Sequence, residues 1–241
     1  MSLILDRGRV WTLTLDRPER ANALSAHLVE SLLALLAEAE HARPTAVVLR
    51  GNPRHFAAGF DVAGLHDESD ASLAVRFLRI GQLLERLATA PYLTVAVVEG
   101  SAVGAGADLV AACDHRLASP RATFRFPGAR FGVVLGTARL AALSRSVGLA
   151  GGAPLTAEQT GGLVTGTPED LPGLLRDWST TEPCARPALL AAGRPPVDHD
   201  AALAALARSV ARPGLRDRIA AYAGVASLPT APRPLPEGEN R

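Results

Sequence analysis

Lysine is absent from this 241-residue sequence; all 25 basic residues are arginine. That excludes covalent chemistry through a lysine Schiff base and excludes a phosphate-loop lysine. Cysteine is scarce too. Cys113 and Cys184 form neither a disulfide framework nor a zinc pattern. His27, His41, His55, His66, His115 and His199 stand singly, without metal-ligand spacing. No metal and no redox cofactor is expected. No apolar run approaches the roughly 18 residues that a membrane helix needs. Charges interrupt the apolar start MSLILDRGRVWTLTLDRPER, which is unlike a signal peptide. The expectation is a soluble, cytoplasmic protein with no membrane partner. The 24 acidic residues nearly balance the arginines, leaving a net charge of +1 and no global attraction to nucleic acid.

What is present is a composition that is 48% apolar, enough to bury a core. The length suits one domain, or a domain with an appendage. Residues 3–5 and 10–15 read as strands around the turn Asp6-Arg7-Gly8-Arg9. Ser25 is a good helix N-cap, and Leu28, Leu32, Leu35, Leu36 and Ala39 follow at helical spacing. Residues 46–49 read as a buried strand, HFAAGFDVAG as a small-residue loop, and 72–88 as an amphipathic helix. LTVAVVEG is another buried strand, followed by an apolar helix from near Gly104 to near Cys113. HRLAS and ATFRF read as short strands and 137–147 as a helix. This alternation predicts an α/β protein with helices packed on a sheet. Composition changes near residue 151. GGAPLTAEQTGG is loop-like, and prolines at 168, 172, 183, 187, 195 and 196 are expected to interrupt any long element. Helices are expected at 200–211 and 214–224, and the proline-rich end as a disordered tail. The divisions are a core over 1–150, a helical region over 151–226 and the tail over 227–241.

Two glycine-rich turns each follow a strand: Ala57-Ala58-Gly59-Phe60-Asp61 and Gly104-Ala105-Gly106-Ala107-Asp108. The second opens a helix, whose free N–H groups suit an anion. If the turns faced each other, their N–H groups could stabilise one oxyanion or enolate. Spacing alone favours ordinary, closely packed strand-to-helix turns. GAGAD is not the dinucleotide fingerprint.

Five stretches, in order, resemble the enoyl-CoA hydratase/isomerase, or crotonase, superfamily. They are LTLDRPERANALS, HFAAGFDVAGL, VAVVEGSAVGAGADLVAACDHRLAS, ATFRFPGARFG and GTARLAALSRSVG. The resemblance implies a crotonase-like ββα spiral core with a short C-terminal helical region. It implies an acyl-CoA, or a carrier-bound acyl thioester, as substrate, with coenzyme A present only as part of that substrate. Carried over residue by residue, the oxyanion donors are the N–H groups of Phe60 and Ala105. Ala58, Gly59 and Asp61 flank the first donor as substrate-binding positions. Arg20, Ala21 and Ala23 match the contacts to the nucleotide end of coenzyme A, where a guanidinium suits phosphate. A solvated loop charge is the plainer reading of Arg20. Asp108 occupies the family's first acid position and would shuttle the proton. Its plainer reading is an exposed first-turn Asp favoured by the helix dipole.

The departures bear on the reaction. The family's second acid follows proline; here that residue is Gly128, after Pro127. Syn hydration commonly uses both carboxylates, whereas isomerisation, decarboxylation or another enolate reaction needs one. The loop before Gly136-Thr137 is about three residues shorter than the family's. The C-terminal helices, which in the family help form a trimer, are short here. Other polar residues have alternatives of their own. His66, Asp67 and Glu68 read as a solvated linker or a substitute acid. Glu99 is a further candidate acid if it points inward. Arg125 or Arg130 could meet an acidic, malonyl-type acyl group or lie on the surface. Cys113 reads as a core residue. The rival to an enzyme is a non-catalytic, auxiliary homologue that assists a partner in secondary metabolism, as a homotrimer or a hetero-oligomer.

Overall fold

The computed structural model describes residues 2–135 and 152–224. The expected helix at 137–147 and the tail at 227–241 lie outside those residues.

The chain opens with an antiparallel pair, β1 (Leu3–Asp6) and β2 (Val10–Leu15), in the register Leu3 opposite Leu15. Alternation in β2 buries Trp11, Leu13 and Leu15 on one face. Helix α1 (Ala26–Ala42) starts at Ser25, whose hydroxyl accepts the Leu28 N–H at 3.2 Å. It buries Leu28, Leu32, Leu36 and Ala39, the stripe that the spacing predicts.

A ββα unit then repeats. Strands β3 (Ala46–Arg50) and β4 (His55–Ala57) lead to α2 (Asp70–Ala88). Strands β5 (Leu93–Val98) and β6 (Ser101–Val103) lead to α3 (Ala105–Ala112). Strands β7 (His115–Ala118) and β8 (Thr123–Arg125) follow. Each turn of this spiral gives one strand to each of two sheets. The larger has the order β1-β2-β3-β5-β7, parallel from β2 onward. The smaller has the order β4-β6-β8-β9, where β9 is Leu155–Thr156. The strands of the smaller sheet are two or three residues long, too short for periodicity to show. β4 therefore falls inside the predicted loop, β6 was not expected, and β9 lies in the stretch read as loop.

The main core lies between the larger sheet and α1, α2 and α3. The other face of that sheet carries Ala46, Val48, Val95, Val97 and Leu117. It is covered by α4 (Leu171–Thr180) and α5 (Arg186–Gly193), through Leu174, Trp178 and Leu190. These two helices, of 10 and 8 residues, were not predicted individually, and the prolines leave both short. Pro172 and Pro187 sit in the first helical turn, where the missing N–H costs nothing. Trp178 Nε1 also donates to the Thr45 carbonyl at 3.0 Å. Arg194 holds Asp114 through two bonds of 2.7 and 2.8 Å.

Helices α6 (His199–Val210) and α7 (Leu215–Ala223) pack against α2. The contact has a polar lock. Asp70, at the start of α2, accepts the N–H groups of Gly214 and Arg216 at 2.8 Å each. It thereby caps α7 from outside. The Arg216 N–H holds the Asp70 carboxyl below its usual range, against a smaller opposing effect of burial. The lock is therefore present above the ordinary aspartate value and lost as pH falls through the lowered one. Asp70→Ala is expected to lower stability by about 1 kcal/mol at pH 7, the usual worth of a cap. Urea unfolding should show this loss at pH 7, shrinking at pH 2–3, with hydrogen exchange quickened over 215–223.

Candidate active site

The two glycine-rich turns meet. Gly59 has φ of +86°, and a Cβ there would stand 2.5 Å from the Val103 carbonyl oxygen and 3.3 Å from the Ala105 nitrogen. Gly106 abuts β4 just as closely, since a Cβ would lie 2.4 Å from the Ala57 carbonyl oxygen. Small residues are required here because backbone packs on backbone.

This contact brings the Phe60 and Ala105 backbones to one cavity. Leu24 bridges the first turn by donating to the Gly59 carbonyl and accepting from Asp61, so Phe60 turns its own N–H the other way. Ala105 is the first residue of α3, whose N–H has no intrahelical partner. Neither N–H has a backbone acceptor among the described residues. Both residues line one cavity of about 170 Å³, and so do Ala58, Asp108 and Gly128.

Asp108 lies on the first turn of α3. It is 6% exposed, and its Oδ1 has no hydrogen-bond partner. Burial pushes its carboxyl well above the usual aspartate range. The exposed first-turn reading of Asp108 is thereby corrected: the helix turns it inward, onto the cavity. It is the only carboxyl-bearing residue among the described residues of the lining. At Gly128 a Cβ would meet the Val133 carbonyl oxygen at 2.8 Å, so a larger residue requires that loop to shift.

The other predicted positions serve the frame. Asp61 is buried and pairs with Arg17 at 2.9 Å. Burial raises it, but the Ala63 N–H and Arg17 outweigh that and hold it below the usual range. Ala21 accepts the Ala58 N–H at 2.9 Å, and Ala23 accepts from Arg17. Arg20 is exposed at the end of a short 3-10 turn, Pro18–Arg20, and does not line the cavity. Glu99 faces Arg50 at 3.5 Å and does not line the cavity either. His66 and Asp67 are exposed, and Glu68 pairs with Arg76 at 2.7 Å. Arg125 donates to the Gly152 carbonyl at 3.1 Å.

Sequence reasoning passed over Asn22. Fully buried at φ of +57°, it donates to the His55 and Phe56 carbonyls and accepts the Arg17 N–H at 2.8 Å. Its signal was an amide between alanines in a turn, a residue type that tolerates positive φ. Sequence reasoning also passed over the aromatic walls. Phe60 stacks on Phe77 with centroids 4.3 Å apart, Phe77 leans on Phe131, and Phe131 on Tyr222 at 5.1 Å.

A family model described as enoyl-CoA hydratase/isomerase matches residues 6–162. The chain belongs to this family. A solved structure from Bordetella parapertussis, described as a "putative enoyl-CoA hydratase/isomerase", is 37% identical. It superposes with a TM-score of 0.86, covering 92% of this chain and 98% of that one. The "Probable enoyl-CoA hydratase echA6" of Mycobacterium bovis is 37% identical over 58% of this chain. Human "Ethylmalonyl-CoA decarboxylase" is 33% identical over 56% of it. The chain spans about half the length of these curated relatives, 55% and 45%. The fold is the crotonase spiral. Among the described residues no group of three or more His, Cys, Asp or Glu could hold a metal, and no helix is long and apolar enough to cross a membrane.

A carboxyl raised by burial weakens the fold as pH rises. The unfolded chain releases the proton near the ordinary value of 3.8, while the folded chain retains it. Asp108→Asn removes this linkage. Relative to the variant, the native protein is expected to lose up to about 1.4 kcal/mol per pH unit between 3.8 and its raised value. Urea titrations at pH 4, 6 and 8 check this; parallel curves would refute it.

Proposed function

We propose that this chain carries out enolate chemistry on an acyl thioester, coenzyme A-linked or carrier-bound, with Asp108 as its single proton shuttle. The supporting observation is one apolar cavity lined by Phe60 and Ala105, whose N–H groups have no backbone acceptor among the described residues, and by Asp108, a buried carboxyl whose Oδ1 has no partner among them. Backbone donors in a dry site stabilise charge that develops on a thioester oxygen, and they need no reorganisation to do so. Ala105 keeps the N–H that a glycine would supply.

Burial makes ionised Asp108 a stronger base than ordinary aspartate, better matched to a weakly acidic α-carbon. The carboxylate takes the α-proton, and the C–H electron pair moves to the thioester oxygen, held by the Phe60 and Ala105 N–H groups. Collapse of the enolate returns the proton from Asp108, to the α-carbon as exchange or to the γ-carbon as double-bond isomerisation. Hydration needs a second group to activate water, and the position that would carry it is Gly128. Isomerisation is therefore the favoured member of the class. Coenzyme A enters only as part of the substrate. Gly128 also supports the rival reading, an auxiliary homologue that binds thioesters without turning them over.

The experiment is α-proton exchange in deuterated water across enoyl-, saturated and malonyl-type thioesters. Exchange is expected to rise with pH through the raised Asp108 value, and Asp108→Asn to lower it by about a hundredfold or more. Binding without exchange on any thioester would favour the auxiliary role. Arg20→Ala is expected to weaken coenzyme A thioesters but not their pantetheine analogues; equal losses would remove Arg20 from phosphate contact.

A further inference from the structure

Aromatic residues are only 4% of the chain: two Trp, two Tyr and six Phe. Half of them line one cavity together with Asp108: Phe60, Phe77, Phe126, Phe131 and Tyr222. They come from four separate parts of the chain, so local sequence does not account for the clustering. Phe60 and Phe77 stack nearly parallel, at 10°. Phe131 and Tyr222 tilt by 41°, which presents ring edges as well as faces. Tyr222 is 36% exposed and stands at the rim, on α7. Arg218, also on α7, donates to the Phe131 carbonyl at 3.0 Å and so ties this helix to the wall.

No cation lines the cavity among the described residues. Three arginines of the surrounding described residues are engaged elsewhere. Arg76 lies over the Phe60 ring at 4.1 Å, but it pairs with Glu68 and donates to the Asp61 carbonyl at 2.7 Å. Arg125 and Arg218 are bonded to main-chain carbonyls. Among the described residues a second carboxylate on the acyl group would find no cationic partner in the lining, at a large desolvation cost.

The size of the space is the remaining constraint. Apolar cavities of about 150 Å³ admit a benzene ring. This one, about 170 Å³, suits one ring beside the reacting carbons. We propose that the acyl end of the site is an aryl pocket. It takes an uncharged acyl thioester carrying one aromatic ring close to the α-carbon, held by edge and face contacts to Phe77, Phe131 and Tyr222. This rests on the cavity being the acyl site, and it selects against dicarboxylic and straight-chain acyl groups.

The test is equilibrium binding to the full chain by calorimetry, using phenylacetyl-CoA, octanoyl-CoA with the same number of acyl carbons, butyryl-CoA and glutaryl-CoA. Phenylacetyl-CoA is expected to bind about tenfold more tightly than octanoyl-CoA and about a hundredfold more tightly than glutaryl-CoA. Tyr222→Leu, at an exposed rim position, is expected to cut the preference for phenylacetyl-CoA over octanoyl-CoA several-fold; Phe77→Leu should cut it further. Octanoyl-CoA binding as tightly as phenylacetyl-CoA, or glutaryl-CoA within tenfold of it, would overturn the aryl pocket. So would a preference that survives Tyr222→Leu intact. The enolate reading is scored separately, by α-proton exchange on butyryl-CoA. Exchange without an aryl preference refutes the pocket alone, and an aryl preference without exchange refutes the chemistry alone.

Discussion

The structure depends on backbone contact between two turns. Gly59 meets Val103 and Ala105, and Gly106 meets Ala57, at distances that leave no room for a Cβ. That contact sets β4 beside the start of α3, and it leaves the Phe60 and Ala105 N–H groups without acceptors on either element. Much of the surrounding polar structure holds the first turn in place. Asn22 ties it to β4, and the Arg17–Asp61 pair closes it from behind. The cost is local: Ala21 and Asn22 both adopt positive φ, a conformation that disfavours side-chain-bearing residues by about 1–2 kcal/mol each. Such strain persists only where neighbours over-determine it, and here Ala21 and Asn22 each bond across to the other loop.

The second constraint is the closure of the cavity by the C-terminal helices. Ile219 and Tyr222 of α7 line it beside the 3-10 turn Pro127–Phe131. The helix is held through polar groups on elements distant in sequence: Asp70 at its start and Arg218 against Phe131. Val134 N–H adds a bond to Ser209 Oγ at 3.0 Å, joining the segment after Pro127 to α6. Apolar burial provides most of the attachment, and these bonds fix its register. The rings that shape the cavity are therefore positioned by the same helices that composition alone marked as a reduced appendage.

What was legible in the sequence follows from the length and regularity of each element. Helix α1 has a Ser cap and four turns of apolar stripe, and it appears where the pattern puts it. β3 and β5 are buried on both faces and read as continuous apolar runs. β4, β6 and β9 are set by pairing with distant strands, which a window of three residues does not display. α4 and α5 were obscured because Pro172 and Pro187 look like breakers until their place in the first turn is known. At the site, Phe60, Ala105 and Asp108 were accessible through the motif, and the structure brings them to one cavity. The aromatic walls were not, because Phe77, Phe131 and Tyr222 belong to three separate elements and meet only in the fold.

Asp108 and Gly128 make sense as one arrangement. A buried carboxyl without a partner weakens the fold, and natural proteins retain such groups where function needs them. A second carboxylate nearby would raise the first still further by like-charge repulsion and would bring water with it. At Gly128 the chain instead folds tightly against the Val133 carbonyl, and the space opposite Asp108 stays apolar. An apolar, ring-lined space raises the Asp108 carboxyl through burial. Gly128 and the aromatic walls thus act in the same direction, toward an apolar lining in which Asp108 is the one carboxyl among the described residues.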